Sequence, residues 1–162
     1  NCLNDDPESI VESNEWCNRF GMDTISGGAI MAFAIEAYER GIITDKDTGG
    51  VKLGWNGASV VALTHMIGRQ KDVGRILGMG VKKAAEKLGG RASEFAVHTK
   101  GLEYPAHDPR GHVGMALSYV TAVRGGCHLE GLTYFLDRGI PCPDSATPPR
   151  RTRTAATTNR RS

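Results

Sequence analysis

Ser26-Gly27-Gly28-Ala29-Ile30-Met31-Ala32-Phe33-Ala34-Ile35-Glu36-Ala37-Tyr38-Glu39-Arg40-Gly41 carries the strongest periodic signal in the chain. Ile30, Phe33, Ala34, Ala37 and Tyr38 recur at steps of three and four, which gathers them on one side of an α-helix. Ser26 or the glycines behind it open this helix, and Gly41 ends it. On either side the same period returns. Upstream, Asp6 caps a helix whose first residue is Pro7; Ile10, Trp16, Cys17 and Phe20 are its apolar positions and Gly21 its stop. Downstream, Asp45 to Gly50 is turn chemistry and Val51 to Trp55 a short extended link. Asn56 caps a third helix carrying Val60, Val61, Leu63, Thr64 and Ile67. Asp72 caps a fourth, with Val73, Ile76, Leu77, Val81, Ala84, Ala85 and Leu88 before Gly89. Glu94 to Thr99 alternates weakly. Lys100 to Gly111 holds Pro105, Pro109, Gly101 and several charges and reads as a loop, after which helices resume over Val113 to Val123 and Leu129 to Arg138. The expectation is a mainly α, multi-helix fold interrupted by one long loop of functional character.

The 162 residues, 40% of them apolar, suffice for one ordinary core. No run approaches the roughly 18 consecutive apolar residues of a membrane span. The acidic start Asn1-Cys2-Leu3-Asn4-Asp5-Asp6 lacks the basic and apolar regions of a signal peptide. A soluble, cytoplasmic protein is expected, with no membrane partner. The chain begins without methionine and enters a patterned segment at once, which suggests further sequence upstream.

The net charge of +2 is unevenly placed. Arg150, Arg151, Arg153, Arg160 and Arg161 lie in a tail, residues 145 to 162, that has no acid. Without the tail, fifteen basic residues face eighteen acidic ones, so the body is mildly acidic. The tail offers no interleaved aromatics, which argues against a nucleic-acid partner. It also lacks large apolar side chains with which to offset its ordering entropy, so it is expected to be disordered, or the product of a shifted frame. Cys2, Cys17, Cys127 and Cys142 are too widely spaced for one loop to present two thiolates to a metal, and read as simple thiols.

Three stretches could carry chemistry. In Asn18-Arg19-Phe20-Gly21-Met22-Asp23 a helix break lets an amide and a carboxylate converge on a nitrogen-rich heterocycle, or else is simply a capped helix followed by a turn. The loop from His98 to Gly111 gathers His98, His107, Glu103 and Asp108 with two cations on a proline-stiffened segment, a pattern that solvated charges would share. Arg124-Gly125-Gly126-Cys127-His128-Leu129-Glu130-Gly131 combines an arginine suited to phosphate oxygens, small residues that admit a close approach, and a histidine able to move protons near neutral pH.

The first and third stretches resemble the tungsten-pterin aldehyde ferredoxin oxidoreductase family. Cys17 to Ser26 is similar to its pterin-binding Asp-x-x-Gly-Leu-Asp/Cys followed by Thr-Ile-Ser: Gly21 and Asp23 match, Met22 replaces leucine, and Asn18 replaces aspartate, keeping the hydrogen bond but losing the charge. Arg124 to Gly131 is similar to Arg-Gly-Ala-Cys-His-Leu-Arg/Lys-Gly, with Glu130 in place of the cation. Phe33 to Gly41, Gly80 to Lys87 and the loop from His98 to Gly111 resemble the family too, over about residues 1 to 144 in all.

The resemblance implies Asn18, Met22, Asp23, Arg124 and Gly131 as cofactor-binding residues and His128 as catalytic, beside the metal. It implies a tungsten (or molybdenum) bis-pterin and a [4Fe–4S] cluster whose ligands lie outside this chain. Partners would be an aldehyde, ferredoxin, the remaining N- and C-terminal parts of the enzyme, and a second copy in a homodimer. Residues 1–97 would be a helical domain corresponding to the family's second, 98–144 the start of the third, and 145–162 the disordered or non-native tail. The alternative from another class is a helical structural or interaction module that has lost its cofactor.

Overall fold

Asp6 caps the first helix through its side chain, which accepts from the Glu8 and Ser9 amides ahead of α1, Pro7–Phe20. The computed structural model describes residues 1–140, so the tail expected over 145–162 lies outside the described residues. The buried face of α1 is Ser9, Ser13 and Cys17, whereas Ile10 is 48% exposed. Small residues face inward because α1 lies close against α3, Gly57–Gly68. Ser9 stands over Gly57 and the Phe20 ring over Gly68, where a methyl group would overlap both.

The second helix, α2, runs over Thr24–Glu39. It starts two residues before Ser26 because Asp23 is its cap, the carboxylate accepting from the Ser26 amide at 2.7 Å. Ile30, Phe33, Ala34 and Ala37 are buried as their spacing predicts, but Met31 and Ile35 are buried as well. Apolar residues on most of its circumference make α2 the central helix of the bundle. Asn56 caps α3, accepting from the Ser59 amide at 2.9 Å.

The expected fourth helix is two short ones, α4 at Gly74–Leu77 and α5 at Val81–Leu88, divided at Gly78-Met79-Gly80. Asp72 caps neither, because its backbone is left-handed at φ 51. A short 3₁₀ turn, Ala92–Glu94, leads to a hairpin that sequence patterning leaves as loop: β1, His98–Thr99, pairs antiparallel with β2, Leu102–Glu103. Lys100 and Gly101 both take positive φ, 56 and 92, the two-residue turn whose twist matches a tight hairpin. Glu103 fixes the hairpin to the helices. It is 4% exposed, and its Oε1 accepts from the Val81 amide, 2.6 Å away, at the start of α5.

Helix α6, Val113–Thr121, packs on α7, Thr133–Asp137. The Gly114 amide donates to Asp137 Oδ2 at 2.8 Å, and the Ser118 and Thr133 hydroxyls bond at 2.9 Å. No helix among the described residues is long and apolar enough to cross a membrane.

Candidate functional site

At the α1–α2 junction Gly21 is left-handed, φ 67, and its amide donates to the Asn18 carbonyl at 3.2 Å. The Met22 amide donates to the Cys17 carbonyl at 2.8 Å, completing the hydrogen-bonded closure of a helix C-terminus. Met22 is half-buried against the core. The break is therefore made by the backbone and leaves side-chain groups over. Asn18 is exposed, with its amide unbonded among the described residues, and Asp23 commits only Oδ2 to capping. Cys17 lies buried beneath; burial, and then the Asp23 charge, push its thiol pKa up.

The third motif folds differently from expectation. No helix begins at Leu129, because Leu132 turns the chain left-handed, φ 45, immediately before α7. His128 consequently lies in the bend between α6 and α7. Gly125, at φ 100, is pressed against the hairpin, and a side chain there would overlap the Thr99 carbonyl oxygen. A Cβ on Gly126 would stand 3.0 Å from the carbonyl oxygens of Leu102 and Glu103. What these small residues admit is the hairpin. Lys100 fastens the same contact by donating to the Ala122 carbonyl at 2.8 Å. Glu130 stays exposed, its Oε2 accepting from the Val123 amide at 3.1 Å. Gly131 lies against α6, where a Cβ would be 2.7 Å from Ser118 Oγ. Arg124 is exposed and makes no ion pair or hydrogen bond among the described residues.

Most of the polar loop is used internally. His98 Nδ1 accepts from the Gly101 amide at 3.3 Å within the hairpin turn. Asp108 pairs with Arg110 at 2.5 Å, and that guanidinium holds its carboxyl down at about 2. His107 is different. Its ring stacks on His128, centroids 5.0 Å apart and planes 15° apart, and touches Tyr134 at 4.6 Å. His112 lies 6.5 Å away. The Tyr119 hydroxyl donates to the His107 carbonyl at 2.9 Å, and Tyr119 is itself 1% exposed, edge-on to Tyr104. His107 Nδ1 is buried without a partner. Burial, then the neighbouring His128, His112 and Arg138, hold the His107 imidazole below the usual histidine range. Sequence reasoning gave His107 no role; the signal it offered was the polar, proline-stiffened loop that carries it.

His107 also borders a cleft of about 690 Å³ between α2 and the loop, lined further by Phe33, Trp55, Phe95, Tyr104 and Arg110. The structure thus brings His128 to His107. No hydrogen bond or ring contact among the described residues joins Asn18 and Asp23 to Arg124 and His128.

A family profile described as aldehyde ferredoxin oxidoreductase, domains 2 and 3, matches residues 1–161. The chain belongs to the aldehyde ferredoxin oxidoreductase family. A tungsten-containing aldehyde ferredoxin oxidoreductase of Thermococcus kodakarensis is 42% identical over 127 residues, covering 77% of this chain and 21% of the relative. The aliphatic sulfonate oxidoreductase, WOR-like subunit, of Pyrococcus furiosus is 36% identical over 130 residues, 76% of this chain and 21% of that protein. Among solved structures, the active site complex BamBC of benzoyl coenzyme A reductase with 1,5 dienoyl-CoA superposes with a TM-score of 0.53 at 28% identity, covering 64% of this chain and 16% of that one. The chain spans about a fifth of the length of the curated relatives it matches.

The side chains left over at the two motifs fit the organic part of the cofactor that tungsten members of the family carry. An unbonded amide at Asn18 and a spare oxygen at Asp23 suit ring N–H groups, and the unpaired Arg124 guanidinium suits phosphate oxygens. They do not fit a metal or cluster. Among the described residues no group of three or more His, Cys, Asp or Glu side chains is placed to hold one, and Cys2, Cys17 and Cys127 are separate free thiols.

Proposed function

We propose that this chain is the segment of a cytoplasmic tungsten-containing oxidoreductase that supplies one side of the pterin site and a proton-handling histidine. The whole enzyme would oxidise aldehydes to carboxylic acids and pass electrons through a [4Fe–4S] cluster to ferredoxin. The relatives named tungsten-containing aldehyde ferredoxin oxidoreductase, at about 40% identity, support the aldehyde reading. We place residues 1–97 in the family's second domain and 98–144 at the start of the third; the profile's description supports two domains.

The observation that carries the reading is the setting of His128: half-buried in a fixed bend, stacked on one face, with neither ring nitrogen bonded among the described residues. When bound, the metal and its pterins would supply the two-electron redox chemistry and the cluster the single-electron steps. Asn18 and the spare Asp23 oxygen would hold pterin ring groups, Arg124 the phosphate, and Met22 and Gly131 the backbone of the two segments that bear them. His128 would take up, on a ring nitrogen, a proton that the aldehyde hydrate releases as it becomes an acid, and give it to solvent.

A second reading, a helical module that has lost its cofactor, draws on the hairpin that fills the space beside Gly125 and Gly126 and on the bond that ties Glu130 to the Val123 amide. Tungsten and molybdenum analysis of the complete protein, produced anaerobically with both metals supplied, separates the two. Near-stoichiometric metal supports the enzyme; metal-free folded protein supports the module.

A further inference from the structure

We infer that His107 is a positioning residue for His128, a flat ring that fixes the plane of the His128 imidazole. The inference rests on the reading of His128 given above. Its first support is geometric. The two rings lie 15° from parallel at a 5.0 Å centroid separation, so His128 cannot rotate about its ring bond without driving an edge into His107. His107 cannot yield, because its other contacts hold it. Tyr134 packs at 4.6 Å, the buried Tyr119 hydroxyl grips its carbonyl, and the buried Pro105 and half-buried Pro109 stiffen the chain on both sides.

The second support is the fate of the proton. An imidazolium must donate from both nitrogens, and His107 Nδ1 is buried facing no acceptor among the described residues. The charges around it also oppose protonation: His128 beneath it, His112 from the start of α6 and Arg138 from the end of α7. The nearby acids are engaged elsewhere, Asp108 by Arg110 and Asp137 by the Gly114 amide, while Tyr134 brings a ring face and Tyr119 a hydroxyl that donates to the His107 carbonyl. His107 therefore resists protonation, and its ring serves as a flat support rather than a second cation.

Two measurements on the complete protein test this. The first follows carbethoxylation of His107 by diethyl pyrocarbonate against pH, read by peptide mass spectrometry. Its reaction midpoint should lie below that of an ordinary histidine and rise in His128→Phe, which keeps a ring in place and removes the facing imidazole. A midpoint unmoved by His128→Phe overturns the pairing. The second compares kcat with KM. His107→Ala should lower kcat about tenfold with little change in KM and unchanged tungsten, and His107→Phe should recover most of the loss. Equal losses in both variants overturn the positioning role. The carbethoxylation midpoint does not depend on turnover. A shifted midpoint together with an inert His128→Ala substitution would leave the pair standing and remove the functional reading alone.

Discussion

Asp23 is asked to do two things, and its two oxygens divide them. Oδ2 caps α2, while Oδ1 has no partner among the described residues. Asp23→Asn keeps an accepting oxygen for the cap, so stability should change by only a few tenths of a kcal/mol, with lower pterin content in the complete protein. Asp23→Ala should cost about 1 kcal/mol in addition. Denaturant titration and pterin analysis of both variants separate the cap from the ligand. Capping of this kind was legible: Asp6 and Asn56 were readable as caps because a short polar side chain stood directly before a periodic run. Asp23 was read as a ligand and was equally well placed as a cap.

Tyr119 gives a prediction in pH. Burial, then the nearby Tyr104, Cys127 and Asp108, push its phenol up to about 12. A group whose pKa is raised on folding contributes stability that is complete below its unfolded value, near 10, and lost as pH rises through the folded one. Tyr119→Phe should cost about 1 kcal/mol at neutral pH through the lost bond to the His107 carbonyl. The same variant should soften the fall in stability between pH 10 and 12. Melting temperatures at pH 8, 10 and 11 check both signs.

At the scale of elements, the division of the fourth helix and the appearance of the hairpin are one event. Gly78-Met79-Gly80 loosens the helix, but the break is fixed by Glu103, whose carboxylate satisfies the Val81 amide across twenty-two residues of sequence. Local patterning sees the apolar period from Val73 to Leu88 and cannot see that distant acceptor, which is why one long helix was the natural expectation. Glu103→Ala would leave a buried amide unsatisfied and should cost about 2–3 kcal/mol, with early loss of amide protection at the start of α5 in hydrogen exchange. Glu103→Gln should recover most of it. The stretch after Cys127 was misread for a related reason. Leu129, Leu132 and Leu136 keep a helical rhythm, yet the left-handed turn at Leu132 and the Glu130 bond to Val123 hold residues 128 to 132 out of a helix.

For the molecule as a whole, the sequence announced a helical body and its two motif-bearing breaks, and the buried α2 bears out that fold class. It did not announce the stacked pair, since His107 and His128 meet only after the loop, α6 and the bend have folded. The body is not covered everywhere. Val113, Leu117 and Val120 form a stripe along α6 that is 75%, 67% and 69% exposed. The isolated 162-residue chain should therefore bind a hydrophobic dye strongly and show no aldehyde-dependent reduction of an artificial acceptor. Turnover by that chain alone would mean that it needs nothing from the other four-fifths of its relatives' length.

The central claim, that His128 handles the proton in a tungsten enzyme, is tested most directly by the turnover of His128→Ala in the complete protein at measured metal content. With tungsten near the wild-type level, kcat should fall by about a hundredfold or more. Wild-type turnover at that metal content would refute the assignment.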